Sequence, residues 1–148
     1  MERNILKNRK GVALIIALLL LLALTLIGIS SINTTTIETG ISGNDREKVD
    51  AFYTAEAGVQ VGIHQIPVTS PIPTTKLKEN SYYWSGTADD RENPKAFKSF
   101  GIHQMPGFDS SWAFRRYQIN VTGESFRSTR EIEVQVSYGP FRADTDYN

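Results

Sequence analysis

The sequence predicts an α+β fold: a long N-terminal helix, half membrane-spanning and half amphipathic, packed on a small C-terminal antiparallel β-sheet. Three observations predict it. Val12 to Ile29 is an uncharged apolar run. Residues 32–63 turn polar but keep apolar residues at helical spacing. Residues 117–138 contain two stretches in which apolar and polar residues alternate, the period of a half-buried strand.

The apolar run comes first in the chain. Its 18 residues include thirteen Val, Leu or Ile, the others being Ala13, Ala17, Ala23, Thr25 and Gly28. As a helix it spans about 27 Å, close to the hydrocarbon thickness of a bilayer. Arg3, Lys7, Arg9 and Lys10 precede it, and the next charge after it is Glu38. The excess of basic residues before the run predicts a cytoplasmic N-terminus and an exported body. A cleaved secretory signal peptide has a shorter apolar core, about 7–15 residues, and an Ala-x-Ala-like site. Here the nearest small-x-small match is Gly28-Ile29-Ser30. Three fates are open for such a run: a permanent anchor with an exported binding domain, a signal peptide removed near Ser31, or a helix cut before Val12.

The run continues into a stem. Ile32, Thr36, Ile37 and Ile41 fall near one face, and Val49, Phe52, Glu56, Val59 and Ile63 form a second set, with the small residues Ala51, Ala55 and Gly58 beside it. Gly40 and Gly43 interrupt the pattern, each costing roughly 1 kcal/mol in a helix, and Asn44 with Glu47 resembles a capping box. One long bent helix over about 12–63 and two helices jointed near 40–44 both fit. The stem serves either as a juxtamembrane helix that packs on the following domain or as a subunit-packing helix in an assembly; the pattern alone favours the first.

The resulting organisation is a basic leader at 1–11, a transmembrane helix at 12–32, a stem at 33–66 and an exported head at 67–148. Pro67, Pro71 and Pro73 end the helix and form an extended connector. Ser81 to Ser85 reads as a short strand bounded by Gly86; residues 86–111 are turn-rich with no period. Tyr117, Ile119 and Val121, then Ile132, Val134, Val136 and Tyr138, mark two strands, with Gly123-Glu124 opening their connection. The stem is the only amphipathic element long enough to cover their apolar face, through Phe52, Val59 and Ile63.

Composition excludes several functions. There is no cysteine, so disulfides, thiolate catalysis and Cys-ligated zinc are out. Lys plus Arg equals Asp plus Glu at 16 each, yet residues 1–10 carry +3, leaving the remainder at −3. A weakly acidic body argues against broad nucleic-acid binding, which needs phosphate-neutralising cations. Tyr82, Tyr83, Trp84, Trp112, Phe114 and Tyr117 beside Arg115 and Arg116 could stack bases, but they serve a small core equally well. His64 and His103 lie in two near-repeats, GIHQIP and GIHQMP; two histidines without further ligands at metal spacing make a poor site. No nucleophile signature of the G-x-S-x-G kind occurs, and Asp89-Asp90 sit in a turn-rich segment. The Asn33 and Asn120 sequons fall beside the membrane and in a strand, and both are discounted. No catalytic residue, cofactor or metal is assigned.

The stretch RKGVALIIALLLLLALTLIGISS, then Gly43-Asn44 with Arg46, then Ala51-Phe52 and Ala55-Glu56-Ala57-Gly58, resembles the N-terminal region of PilX-like minor pilins of the type IV pilin class. The resemblance covers roughly residues 9–63. It implies cleavage by prepilin peptidase between Gly11 and Val12, N-methylation of Val12, and a non-enzymatic subunit in a type IV pilus or a related type II secretion pseudopilus. It also implies residence first in the lipid of the inner membrane, then in a filament beside major and other minor pilins, at the cell surface or in the periplasm. Roles in filament initiation or assembly, adhesion, aggregation or motility follow from the same resemblance; no surface ligand is specified. Pilins commonly carry Glu at the fifth mature position, where it pairs with a neighbour's N-terminal amine. Counting from Val12, that position is Ile16. Some minor pilins and the tip pseudopilin are similar in lacking the Glu, so Ile16 implies a priming, tip or low-abundance subunit.

Overall fold

A computed structural model describes residues 9–144; the leader residues 1–8 and residues 145–148 lie outside the described residues. One helix, α1 (Arg9–Gln65), is followed by five strands, β1 (Thr75–Lys78), β2 (Ser81–Ser85), β3 (Lys98–His103), β4 (Trp112–Ser125) and β5 (Ser128–Arg142). The chain divides into two compact units, residues 1–43 and 44–148.

In the first unit, α1 is helical through the apolar run and the threonine-rich segment after it. The hydroxyls of Thr34, Thr35, Thr36 and Thr39 each donate to the carbonyl four residues back, at 2.8–3.0 Å, and that of Thr25 to Leu22 at 2.7 Å. Each such bond satisfies a polar hydroxyl within the helix, lowering the cost of placing it in apolar surroundings. Gly40 and Gly43 do not end the helix: α1 is a single assigned element, which decides between the two arrangements that the sequence allowed.

In the second unit, the C-terminal part of α1 lies on an antiparallel sheet. β4 is its centre: β5 pairs along its whole length, while β2 and β3 share its other side, β2 at Val121–Ser125 and β3 at Phe114–Gln118. β1 adds outside β2. The helix buries Ala51, Thr54, Ala55, Gly58, Val59 and Gly62, spaced three and four apart on one face. Except for Val59 all are small, so the helix axis comes down close to the sheet. Gly58 sits against Val121 and Tyr83, Gly62 against Ile119 and Phe97, and Gly123 against Ala51 and Ala55. From Ile119 to Val121 to Gly123 the matching helix positions fall from 62 to 58 to about 53. Two strand residues cover about 7 Å and four helix residues about 6 Å, so the helix runs nearly along β4 and opposite to it. Val59, Ile72, Tyr83, Phe97, Ile119 and Val121 form the core, flanked by half-buried Ile132, Val134 and Val136 of β5.

The architecture is the predicted one, with local corrections. Phe52 does not cover the sheet: it points away and stays 47 % exposed. Val59 is buried as expected and Ile63 is half-buried. Gly123-Glu124 does not open the connection, because both belong to β4. The turn is Phe126-Arg127, with Phe126 at φ 52°. Gly123 is required for helix contact, not for chain reversal. The turn-rich segment 86–111 contains β3 and a short 3₁₀ turn at Ala88–Asp90, and β1 was not apparent in the sequence at all.

Candidate assembly interface

The sequence singles out Gly11, Val12 and Ile16, and all three lie on α1 within the first unit. Gly11 and Val12 share the first described turns of the helix, and Ile16 is one turn further on. Val12 is 53 % exposed and Ile16 52 %. Every residue from Gly11 to Thr39 is exposed. The segment is long and apolar enough to cross a membrane, and none of that apolar window is buried within the chain. Among the described residues, thirteen large aliphatic side chains of this run are therefore left more than half exposed. At about 25 cal/mol per Å² this is far more apolar surface than a water-exposed helix leaves uncovered. Its cover must be lipid or other protein.

A second exposed surface lies on α1 in the second unit. The face buried on the sheet is centred on Ala51, Ala55, Gly58 and Gly62. About half a turn away stand Val49, Phe52 and Tyr53, with Glu56 between them in the helical net. Val49 is 52 % and Tyr53 61 % exposed, and the Phe52 and Tyr53 rings meet edge to face with centroids 5.8 Å apart. The stem is thus apolar on two sides for different reasons: small residues on the side that meets its own sheet, large ones on the side that does not. The sequence pattern grouped Val49, Phe52 and Val59 together because spacing alone does not say which apolar face a sheet will take.

Among the described residues, no group of three or more His, Cys, Asp or Glu comes together. His103 is half-buried beside Phe114, with Nε2 3.3 Å from Ser137 Oγ, while His64 is exposed. Asp90 holds a loop. Its Oδ2 accepts the Thr87 backbone N–H and the Thr87 hydroxyl, both at 2.9 Å, and Lys95 Nζ lies 3.6 Å from Oδ1. These bonds, the Thr87 backbone N–H foremost, hold the Asp90 carboxyl below the usual carboxylate range. The aromatic residues divide between the faces of the sheet. Tyr83 and Tyr117 are buried; Trp84 lies under the 86–97 loop, its Nε1–H donating to Thr87 O at 2.8 Å. Arg91 closes that loop by pairing with both oxygens of Glu124 at 2.8–2.9 Å, over the rings of Tyr82 and Trp84. Thr122 of the Asn120 sequon is buried, its hydroxyl donating to Gly86 O at 2.7 Å.

The exposed helix is also the part of the chain whose sequence matches a family model. Residues 10–60 match the family described as PilX N-terminal. The helix is PilX-like. The matched span takes in Gly11, Val12 and Ile16, the whole apolar run, the threonine segment and the small-residue face through Gly58. No match is found among curated proteins or among solved structures. The match is a likeness over 51 of the 148 residues, and the sheet-forming remainder lies outside it.

Proposed function

We propose that this chain is a minor pilin-like subunit of a type IV pilus or related pseudopilus, inserted with its N-terminus in the cytoplasm of the inner membrane and its head exported. Prepilin peptidase cuts between Gly11 and Val12, and Val12 becomes the methylated N-terminus. The helix then leaves lipid for the apolar helices of major and other minor pilins. The observation that supports this most directly is the uncovered helix, whose exposed apolar side chains continue on the stem as Val49, Phe52 and Tyr53. A plain anchor accounts for the first set but gives no reason for the second, which lies beyond the charges Glu38, Asp45 and Arg46.

Ile16 in place of the acidic residue removes both the desolvation cost of a buried charge and the register that an ion pair would impose. The subunit therefore primes or tips a filament, or joins it at low abundance, and acts in assembly, adhesion, aggregation or motility rather than as an enzyme.

The test is the mature N-terminus, read by mass spectrometry of membrane and sheared-surface fractions. A chain beginning at Val12, with a methyl group, supports the proposal. A chain beginning at Met1 or Glu2 supports an uncleaved single-pass protein with an exported binding domain, and one beginning near Ser31 a secreted head. Immunogold labelling along the whole shaft, at the stoichiometry of the main pilin, would contradict the initiating role.

A further inference from the structure

We propose that the loop joining β3 to β4, with the strand ends that carry it, seats on the interface of an anionic phospholipid bilayer. α1 ends at Gln65, and the last small residue of its buried face, Gly62, sits at Ile119. β4 runs on past that point to Trp112, and β3 with it to His103. This end of the head carries Phe100, Ile102, Met105, Phe108 and Trp112 within thirteen residues, each between 38 % and 56 % exposed. Such a concentration of large apolar side chains on a surface marks a contact.

The loop that displays them is tied at several points. Phe108 N–H donates to Met105 O at 3.2 Å, Trp112 N–H to Asp109 O at 2.9 Å and Ala143 N–H to Ser111 O at 2.9 Å. The Phe108 and Phe114 rings meet edge to face with centroids 4.9 Å apart. The apolar side chains thus stay half exposed on a hydrogen-bonded backbone.

Two features select lipid as the partner. The first is that the apolar side chains occupy both faces of the sheet. Ile102 stands opposite Arg115, which shares the helix side of β4 with Tyr117 and Ile119 by the two-residue period, and directly opposed residues share a face. Phe114, next in the strand, lies on the other face, where Phe108 packs on it. A rigid partner covers one face; a fluid phase closes round both. The second feature is charge. Residues 98–116 and the β5 stretch 137–144 carry Lys98, Arg115, Arg116 and Arg142 against Asp109 and Asp144, in a chain whose residues after 10 are net acidic. Cations beside half-exposed Trp, Phe and Ile suit the headgroup region of an anionic leaflet. Single-stranded nucleic acid asks instead for rings on which successive bases stack; here Ile102 and Met105 offer no ring, and Phe108 is engaged by Phe114.

Because the chain has no cysteine, a single cysteine places an environment-sensitive fluorophore. The full chain is held in nanodiscs of neutral phosphatidylcholine and mixed with vesicles of phosphatidylcholine, either alone or with about a third phosphatidylglycerol. With the label on Met105→Cys, the anionic vesicles should raise emission about threefold with a blue shift, and the neutral ones far less. A label on Thr129→Cys, whose β4 partner Glu124 lies about 40 Å from Trp112 along the strand, should respond to neither. Phe108→Ser with Trp112→Ser should abolish the response at 105, and so should Lys98→Glu with Arg116→Glu. The second pair changes exposed side chains only, so its result stands even where the first pair loosens the loop. No change at 105, equal changes at 105 and 129, equal responses to the two vesicle types, an undiminished response in the charge pair, or a response to a single-stranded oligonucleotide in place of vesicles would each overturn the proposal. The contact uses neither the cleavage site nor the apolar helix, so the N-terminal mass judges the pilin reading separately.

Discussion

Gly123 of β4 lies directly beneath Ala55 of α1: a Cβ added to Gly123 would come within 2.3 Å of the Ala55 amide nitrogen and 2.4 Å of the Ala51 carbonyl oxygen. Those are backbone atoms, which cannot turn aside as a side chain can. Gly123→Ala is therefore expected to lift the helix from the sheet and destabilise the head by about 2 kcal/mol or more, roughly a 10 °C fall in Tm for a domain of this size. Gly40→Ala, whose added Cβ meets nothing within 4 Å, leaves the melting of the head unchanged. Thermal unfolding of the two detergent-solubilised variants checks the contrast; equal Tm values would remove Gly123 from its assigned role.

Phe52 and Tyr53 separate folding from assembly. Both rings project away from the sheet, so Phe52→Ser with Tyr53→Ser should change head stability by less than about 1 kcal/mol. Under the pilin reading the same pair lowers recovery of the subunit in sheared filaments several-fold while its membrane level is maintained. Quantitative immunoblots of the two fractions decide the matter.

Ile16→Glu restores an acidic side chain at the fifth position after the proposed cleavage. If the absence of that group keeps the subunit at the tip or at low abundance, the variant enters the shaft more often and immunogold labelling spreads along it. Labelling confined as in the parent chain would deny Ile16 that role.

Arg91 joins the 86–97 loop to the outer face of the sheet through Glu124, Tyr82 and Trp84. A half-exposed ion pair and a cation–π contact together are worth about 1–2 kcal/mol. Arg91→Ala should speed amide hydrogen exchange in residues 86–97 and leave β4 protected. Uniform acceleration throughout the head would show that the clamp is global instead.

Asp90 gives the same loop a pH dependence. Its folded carboxyl titrates below its unfolded value because Thr87 donates to the ionised form. The contribution is therefore complete above the unfolded pKa, about 3.9, and is lost as pH falls through the lower folded value. Relative to intrinsic exchange at each pH, the protection of residues 86–90 should fall on acidification below about pH 4, and Asp90→Asn should abolish that dependence. Protection that falls instead between pH 6 and 8 would contradict the assignment.

The sequence by itself determined that a helix precedes a sheet, the membrane-compatible run, the two long strands and the absence of cysteine chemistry, because these rest on local period and composition. The apolar run needs no partner to be recognised, and neither does the alternation of Ile132, Val134 and Val136. Only the tertiary structure decided which apolar face of the stem meets the sheet. Ala51, Ala55, Gly58 and Gly62 present too little surface to stand out in a hydrophobic pattern, yet they win the contact because Gly123, Val121 and Ile119 need close approach. Phe52, the better hydrophobe, is left outside for want of room. The same holds for β1 and β3, short edge pieces that exist because β2 and β4 offer them hydrogen bonds, and for the open edge of β5. Whether a strand is central or terminal depends on what pairs beside it, which no local pattern records.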